Sequence, residues 1–230
     1  MDNIVLKIAQ ISDLHITKHR NLLEPLIEHI NKETLDLVVV TGDTVHSKDV
    51  ELFKIAEKGL NRIKHKVVVL PGEYDGGDLW CEYFGDRYKS INLNDYCIDF
   101  LDTSYMRHRF AVGWGDTLKE EDPEQYEWLI ERLKIDKYHL IFSHHPHSYI
   151  PKEIGDEFLQ DNVRAIFSGH FRQPSKFYFD YEKPRRHFEK GLLCVPLKFH
   201  GSSCYLLILI KDNDEIINIP RMIDVKRTAW

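Results

Sequence analysis

The 230-residue sequence predicts an α/β fold with parallel strands, on three observations. Short apolar, β-branched runs alternate with segments whose apolar residues recur at helical spacing. The order strand, helix, strand, helix, strand over the first seventy residues requires crossover connections, and these join parallel strands. The apolar runs also end, one after another, in polar clusters.

Taken in order, Ile4 to Ile11 is a strand ending in Ser12-Asp13, and Leu22 to Ile30 is a helix with Leu22, Leu26, Ile27 and Ile30 on one face. Leu37 to Val40 is a buried strand ending in Thr41-Gly42-Asp43, Val50 to Ile63 a helix, and Val67 to Leu70 a strand ending in Pro71-Gly72. Ser90 to Asp102 and Phe110 to Trp114 read as shorter strands with turns between them. Asp122 caps a helix with Pro123 in its first turn and Gln125 in the capping-box position, and Tyr126, Leu129, Ile130 and Leu133 form its apolar face. Leu140 to Phe142 runs into Ser143-His144-His145-Pro146, and Val163 to Phe167 into Ser168-Gly169-His170. Lys176 to Ile219 alternates strands and turns and is expected to be largely antiparallel. No repeat or linker divides the chain, so a single domain over residues 1–230 is expected.

Composition excludes several classes. Hydrophobic residues at 43% and charged residues at 30% exclude a disordered chain or coiled coil. With 31 basic and 37 acidic residues the net charge is −6, which argues against nucleic-acid binding driven by overall charge. Cys81, Cys97, Cys194 and Cys204 form no CxxC pair and no disulfide framework, and are read as reduced. No secretory pattern opens the sequence, and runs such as Leu206 to Ile210 are too short to span a bilayer, so a cytoplasmic protein without a membrane partner is expected.

Five predicted strands end in clusters that share one set of residue types: Asp13-Leu14-His15, Gly42-Asp43, Gly72-Glu73-Tyr74-Asp75, Ser143-His144-His145 and Gly169-His170-Phe171-Arg172. Ligands of open α/β sheets bind beyond the carboxyl ends of parallel strands. Asp, Glu and His together suit divalent metals that accept mixed oxygen and nitrogen donors. Singly, each cluster has an ordinary reading, since Asp and Gly make turns and caps and a lone His is commonly a satisfied core residue. Five in order are not explained by turn chemistry.

This order and spacing resembles the calcineurin-like metallophosphoesterases, whose pattern is Asp-x-His, Gly-Asp, Gly-Asn-His-Asp/Glu, a later His, and Gly-His-x-His. The resemblance runs from Ile8 to Phe171, and Leu129 to Pro146 looks like the cyclic-nucleotide phosphodiesterase branch. It implies a four-layer α/β/β/α sandwich of two mixed sheets flanked by helices. It also implies one or two divalent ions per chain (manganese, iron or zinc). The first would be held by Asp13, His15 and Asp43, with Arg172 falling where the family has its last histidine. The second would be held by Asp43, Glu73, His144 and His170, with Glu73 in place of asparagine.

Arginine cannot ligate a metal, so the first site is one ligand short unless water or His145, His147, His187 or His200 completes it. Arg172 can instead pair with a phosphate oxygen. Tyr74 stands where the family has a histidine assisting the phosphate and leaving group, and Asp75 where it keeps an orienting acid. Tyr74, Asp75 and Arg172 are therefore the catalytic candidates. The implied activity is phosphodiester hydrolysis by a hydroxide bridging two ions about 3.5–4 Å apart. The implied substrate is a small phosphoester or nucleotide-like molecule, with nucleic acid disfavoured. Because Gly-Asn-His and the last His are altered, a non-catalytic binding or scaffold module of the same fold is the alternative.

Overall fold

A computed structural model describes residues 3–18, 23–105, 118, 122–145, 162–170, 175–177, 189–191 and 202–224. The first sheet has the order β11-β10-β1-β2-β3. Its strands are β1 (Ile4–Ile11), β2 (Leu37–Thr41), β3 (Val67–Leu70), β10 (Ser202–Lys211) and β11 (Ile216–Asp224). β1, β2 and β3 pair in parallel, and β10 pairs antiparallel with both β1 and β11. The second sheet has the order β4-β5-β6-β7-β9-β8. Its strands are β4 (Lys89–Leu93), β5 (Tyr96–Phe100), β6 (Tyr138–Ser143), β7 (Val163–Ser168), β8 (Ser175–Phe177) and β9 (Glu189–Gly191). β5, β6, β7 and β9 are parallel, while β4 and β8 run antiparallel to their neighbours.

The period of two along the second sheet explains how the layers stack. Leu140 and Phe142 of β6, with Ala165 and Phe167 of β7, join the core shared with the first sheet. The intervening Ile141 and Ile166 face the other way, onto Leu129 and Leu133 of α4 (Pro123–Leu133). Strands buried on both faces therefore read as unbroken apolar runs. Phe142 stacks on Phe167 at 4.8 Å and on Phe100 at 5.8 Å between the sheets. Each such fully buried ring contributes about 1.5–3 kcal/mol. The helices α1 (Leu23–Ile30), α2 (Val50–Leu60) and α3 (Asp78–Phe84) belong to the first sheet's side. The result is the expected four-layer sandwich of two mixed sheets with helices on both outer faces.

Most expected elements form as read. In α1, Leu23, Leu26, Ile27 and Ile30 are buried, while Leu22 lies outside the described residues. α3 was not expected, because the stretch from Gly76 to Asp86 reads as a loop. Gly77 and Gly85, at φ 111° and 80°, bracket only seven helical residues, and burial of Trp80 between them makes the turn worthwhile. The capping box at α4 is also different. Asp122 accepts from the Gln125 backbone N–H as expected, but its own N–H bonds the Leu118 carbonyl, so the Gln125 side chain meets the cap only as a donor, to Asp122 Oδ2 at 3.2 Å. That side chain also accepts from Asp102 N–H at 2.7 Å and donates to the Asp102 carbonyl at 3.0 Å, tying α4 to the end of β5.

In the tail, β10–β11 and β8–β9 are antiparallel as expected, but β9 also extends the second sheet in parallel on β7. The strand expected at Phe110 to Trp114 lies outside the described residues. Among the described residues, Cys81 and Cys97 are free thiols, and no helix is long and apolar enough to cross a membrane.

Candidate metal centre

The parallel ends of β1, β2, β3, β6 and β7 come to one edge of the sandwich. Loop-to-loop hydrogen bonds lock them there: Asp13 N–H to the Gly42 carbonyl at 3.0 Å, His15 N–H to the Asp43 carbonyl at 2.9 Å, and Gly169 N–H to the His144 carbonyl at 3.0 Å. Gln10 crosses between the sheets, donating to the Ser168 carbonyl at 2.9 Å. Six non-glycine residues among those described have positive φ, and four of them are Asp13, His15, Asp43 and His170. Left-handed backbone at bulky residues costs energy and persists where surrounding structure over-determines it, commonly at functional sites.

The first group is Asp13, His15 and Asp43. His15 Nε2 lies 4.0 Å from Asp13 Oδ1 and 3.6 Å from Asp43 Oδ2. The opposite nitrogen, Nδ1, is buried without a hydrogen bond, so His15 is oriented by ring contacts instead. Tyr74 meets it edge-on at 5.2 Å and His46 at 5.6 Å, and the Tyr74 and His46 rings stack on each other at 5.4 Å. Ser12 donates to Asp13 Oδ2, which also accepts from His170 N–H at 3.0 Å.

The second group surrounds one carboxylate oxygen. Glu73 Oε2 lies 2.8 Å from His144 Nε2, 3.3 Å from His145 Nε2 and 3.1 Å from His170 Nδ1. His144 links the two groups, since its Nε2 is also 3.5 Å from Asp43 Oδ2. Its other nitrogen donates to the Thr41 carbonyl at 2.8 Å, which fixes Nε2 as the atom facing the carboxylates. This is how metal-binding histidines are oriented.

The structure thus brings together all six metal-ligand candidates: Asp13, His15, Asp43, Glu73, His144 and His170. It adds His145 to the Glu73 group, away from the Asp13 side that it was offered to complete. The adjacent pair His144-His145 was the only sequence signal for it. His147, His187, His200, the basic run 183–187 and the catalytic candidate Arg172 lie outside the described residues. Tyr74 sits on the rim beside His15, and its N–H donates to Asp43 Oδ1 at 3.0 Å. Asp75 is fully buried and accepts from the N–H groups of Gly72, Thr44 and Val45. It therefore acts as a positioning residue that clamps the β2 and β3 end loops together.

Close approach requires glycine at Gly72, where an added Cβ would fall 2.2 Å from Asp43 Oδ1 and 2.3 Å from Asp43 N. Gly72→Ala should displace Asp43, lower stability by about 1–3 kcal/mol and weaken metal binding. Thermal unfolding and metal titration of the variant check this, and an unchanged Asp43 site would contradict it.

The electrostatics fit a divalent cation. Burial, reinforced by Asp43, pushes Asp75 up to about 7. Burial likewise pushes Asp13 up to about 6, with the His144 charge opposing and Asp43 adding to the rise. Burial opposes a charge on His144, but Asp43 and Glu73 outweigh it and hold its pKa well above the usual histidine value. Burial lowers His145 to about 4. Without metal the site thus retains protons that a cation would displace, and its oxygen and imidazole donors suit manganese, iron or zinc.

A pH dependence follows for metal-free protein. Groups whose folded pKa is raised stabilise the fold at low pH and lose that contribution as pH rises through the folded value. Asp75 and His144 act this way above pH 6.5, and they outweigh the opposite contribution of neutral His145, which is largely complete by about pH 7. The melting temperature of metal-free protein should therefore fall from pH 6.5 to pH 8, and added metal should reverse the fall. A flat profile would contradict these shifts.

Comparison with known proteins places these features in context. The profile described as calcineurin-like phosphoesterase matches residues 6–174. A probable cyclic nucleotide phosphodiesterase of Fibrobacter succinogenes is 27% identical over 195 residues, covering 74% of each chain. The glycerophosphodiester phosphodiesterase GpdQ of Enterobacter lignolyticus is 26% identical over 164 residues, covering 60% of this chain and 56% of that protein. A purple acid phosphatase from yellow lupin seeds superposes with a TM-score of 0.53 at 11% identity, covering 96% of this chain and 54% of that one, a likeness of fold.

Proposed function

The chain belongs to the calcineurin-like phosphoesterase family, and from that premise we propose that it is a metal-dependent phosphodiesterase acting on a small, nucleotide-like phosphodiester. The observation that carries the reading is the pair of adjoining donor groups, Asp13 with Asp43 and Glu73 with His145 and His170, both of which include His144. Relatives named as cyclic nucleotide and glycerophosphodiester phosphodiesterases support the substrate class.

Divalent ions held by Asp13, His15, Asp43, Glu73, His144 and His170 would supply positive charge to neutralise the phosphate and to acidify a water at neutral pH. The protein's own part is positional. Asp43 Oδ2 lies 3.6 Å from His15 Nε2 and 3.5 Å from His144 Nε2, so one carboxylate oxygen serves both groups. Asp13 and Glu73 carry the remaining negative charge at either end. Asp75 holds the two loops that present Asp43 and Glu73. Tyr74, on the rim beside His15, is assigned to donate its hydroxyl to a phosphate or leaving oxygen. Arg172 is assigned to pairing with a phosphate oxygen. Manganese, iron and zinc are the ions to supply. One domain over residues 1–230 and a cytoplasmic setting belong to the same reading, the latter supported by the free thiols of Cys81 and Cys97.

The test is hydrolysis of bis(p-nitrophenyl) phosphate by purified protein with manganese, iron and zinc in turn. Metal-dependent turnover is expected. No turnover with any of the three would leave a non-catalytic binding module as the standing reading. Tyr74→Phe refines the assignment. It keeps the stack with His46 but loses the hydroxyl, so turnover of an alkyl phosphodiester should fall about tenfold, while the p-nitrophenyl ester, whose leaving group needs no donor, changes less than about twofold. Equal effects on both esters would remove Tyr74 from leaving-group assistance.

A further inference from the structure

We propose that His145 is a metal ligand, and that Glu73, His144, His145 and His170 form a self-sufficient four-donor site for a tetrahedral ion of the zinc kind. This rests on the reading above only in taking these residues to bind metal. It goes beyond the family pattern, which gives this ion Asp43, Glu73, His144 and His170 and no role to His145.

The donor spacing carries the argument. Four donors bound tetrahedrally at about 2.0–2.1 Å from one centre stand about 3.3–3.4 Å from one another. Here Glu73 Oε2 stands 2.8, 3.3 and 3.1 Å from His144 Nε2, His145 Nε2 and His170 Nδ1, and His170 Nδ1 is 3.3 Å from His144 Nε2. All four donor atoms lie within 4.8 Å of one another. One oxygen and three imidazole nitrogens in so small a space match a compact ion, whereas magnesium and calcium require six or more oxygen donors.

His145 is also held as a ligand is held. It is 1% exposed, and Thr103 fixes it twice: the Thr103 hydroxyl oxygen accepts from His145 N–H at 3.0 Å and faces Nδ1 at 3.1 Å. An oxygen has two lone pairs, so it can accept Nδ1–H as well, leaving the Nε2 lone pair toward Glu73. A hydrogen bond of this kind at the far nitrogen orients metal-bound histidines. The Asp13, His15 and Asp43 group offers three protein donors, and His15 is partly exposed. The centre is therefore asymmetric, with one ion resident among four protein ligands and a second that exchanges.

The experiment is zinc titration against a competing chelator on the full chain, with cobalt substitution followed by visible absorption. Wild-type protein should retain one equivalent of zinc through dialysis, and its cobalt form should show the intense bands of tetrahedral coordination. His145→Gln should weaken that ion about 100-fold or more and abolish the bands, and Thr103→Val should weaken it about tenfold. Asp43→Asn should leave the resident ion in place. Should His145→Gln fail to fold by circular dichroism, Thr103→Val decides. Unchanged zinc affinity and cobalt spectrum in the folded variants would overturn the proposal, as would loss of the retained ion in Asp43→Asn. Wild-type protein that holds this ion yet hydrolyses no phosphodiester would refute the proposed activity and leave the site standing. Turnover that depends on two equally weak ions would do the reverse.

Discussion

Asp43→Asn should reduce metal-dependent phosphodiester hydrolysis by about 10³-fold or more in kcat/KM, the scale on which a preorganised electrostatic group is lost from an active site. Asp43 is 1% exposed and is the carboxylate that faces both His15 and His144. Asparagine keeps an oxygen but loses the charge and adds a donor where ligands must accept. The fold should survive with a loss of about 1–3 kcal/mol, because removing the charge relieves the repulsion that raises Asp13 and Asp75 but also takes a partner from the charged His144. The two effects separate in thermal unfolding. Ion binding at 100 times the dissociation constant stabilises by about 2.7 kcal/mol, so wild-type protein should melt higher with manganese. The variant should keep the gain from the ion held at the Glu73 group and lose the gain from the second ion. Retained turnover with the same metal dependence would remove Asp43 from its role.

Glu73→Gln should weaken the ion held at the Glu73 group about 100-fold or more and destabilise metal-free protein by about 1–3 kcal/mol. Burial works against the Glu73 charge, yet the adjoining His144, His145 and His170 rings, with the His144 charge, hold its carboxyl far below the usual carboxylate range. Glutamine presents one weaker acceptor and one donor to three ring nitrogens. It also removes a partner that keeps His144 protonated, so the stability lost on raising the pH should be smaller and should end at a lower pH. Metal content after dialysis, together with melting temperature at pH 7, would check both parts. A variant that keeps its ion and its stability would show that the histidines suffice without the carboxylate.

Much of this was legible in the residues. Apolar runs of three to eight residues marked β1, β2, β3, β6 and β7, because a strand buried on both faces has no polar side to display. The same runs ended in Asp, Glu, His and Gly, and all six expected ligands meet at those ends. The elements that escaped had weak local signals. α3 is seven residues between glycines, and Gln125 sits in a capping position while its side chain serves another loop.

The sequence by itself determined which strands are buried, where each one ends and which donor types stand there. These are properties of neighbouring residues and of periods two and 3.6. Only the tertiary structure decided which ends meet. Glu73 and His170 stand 97 positions apart and 3.1 Å from each other, and no period along the chain encodes that distance. The face-to-face packing of two sheets sets it, with the phenylalanines between them and Gln10 joining their ends. That packing turned Asp75 inward as a clamp on two loops, and it aimed His145 at Glu73, because each side chain answers to the loop packed against it rather than to its neighbour in sequence.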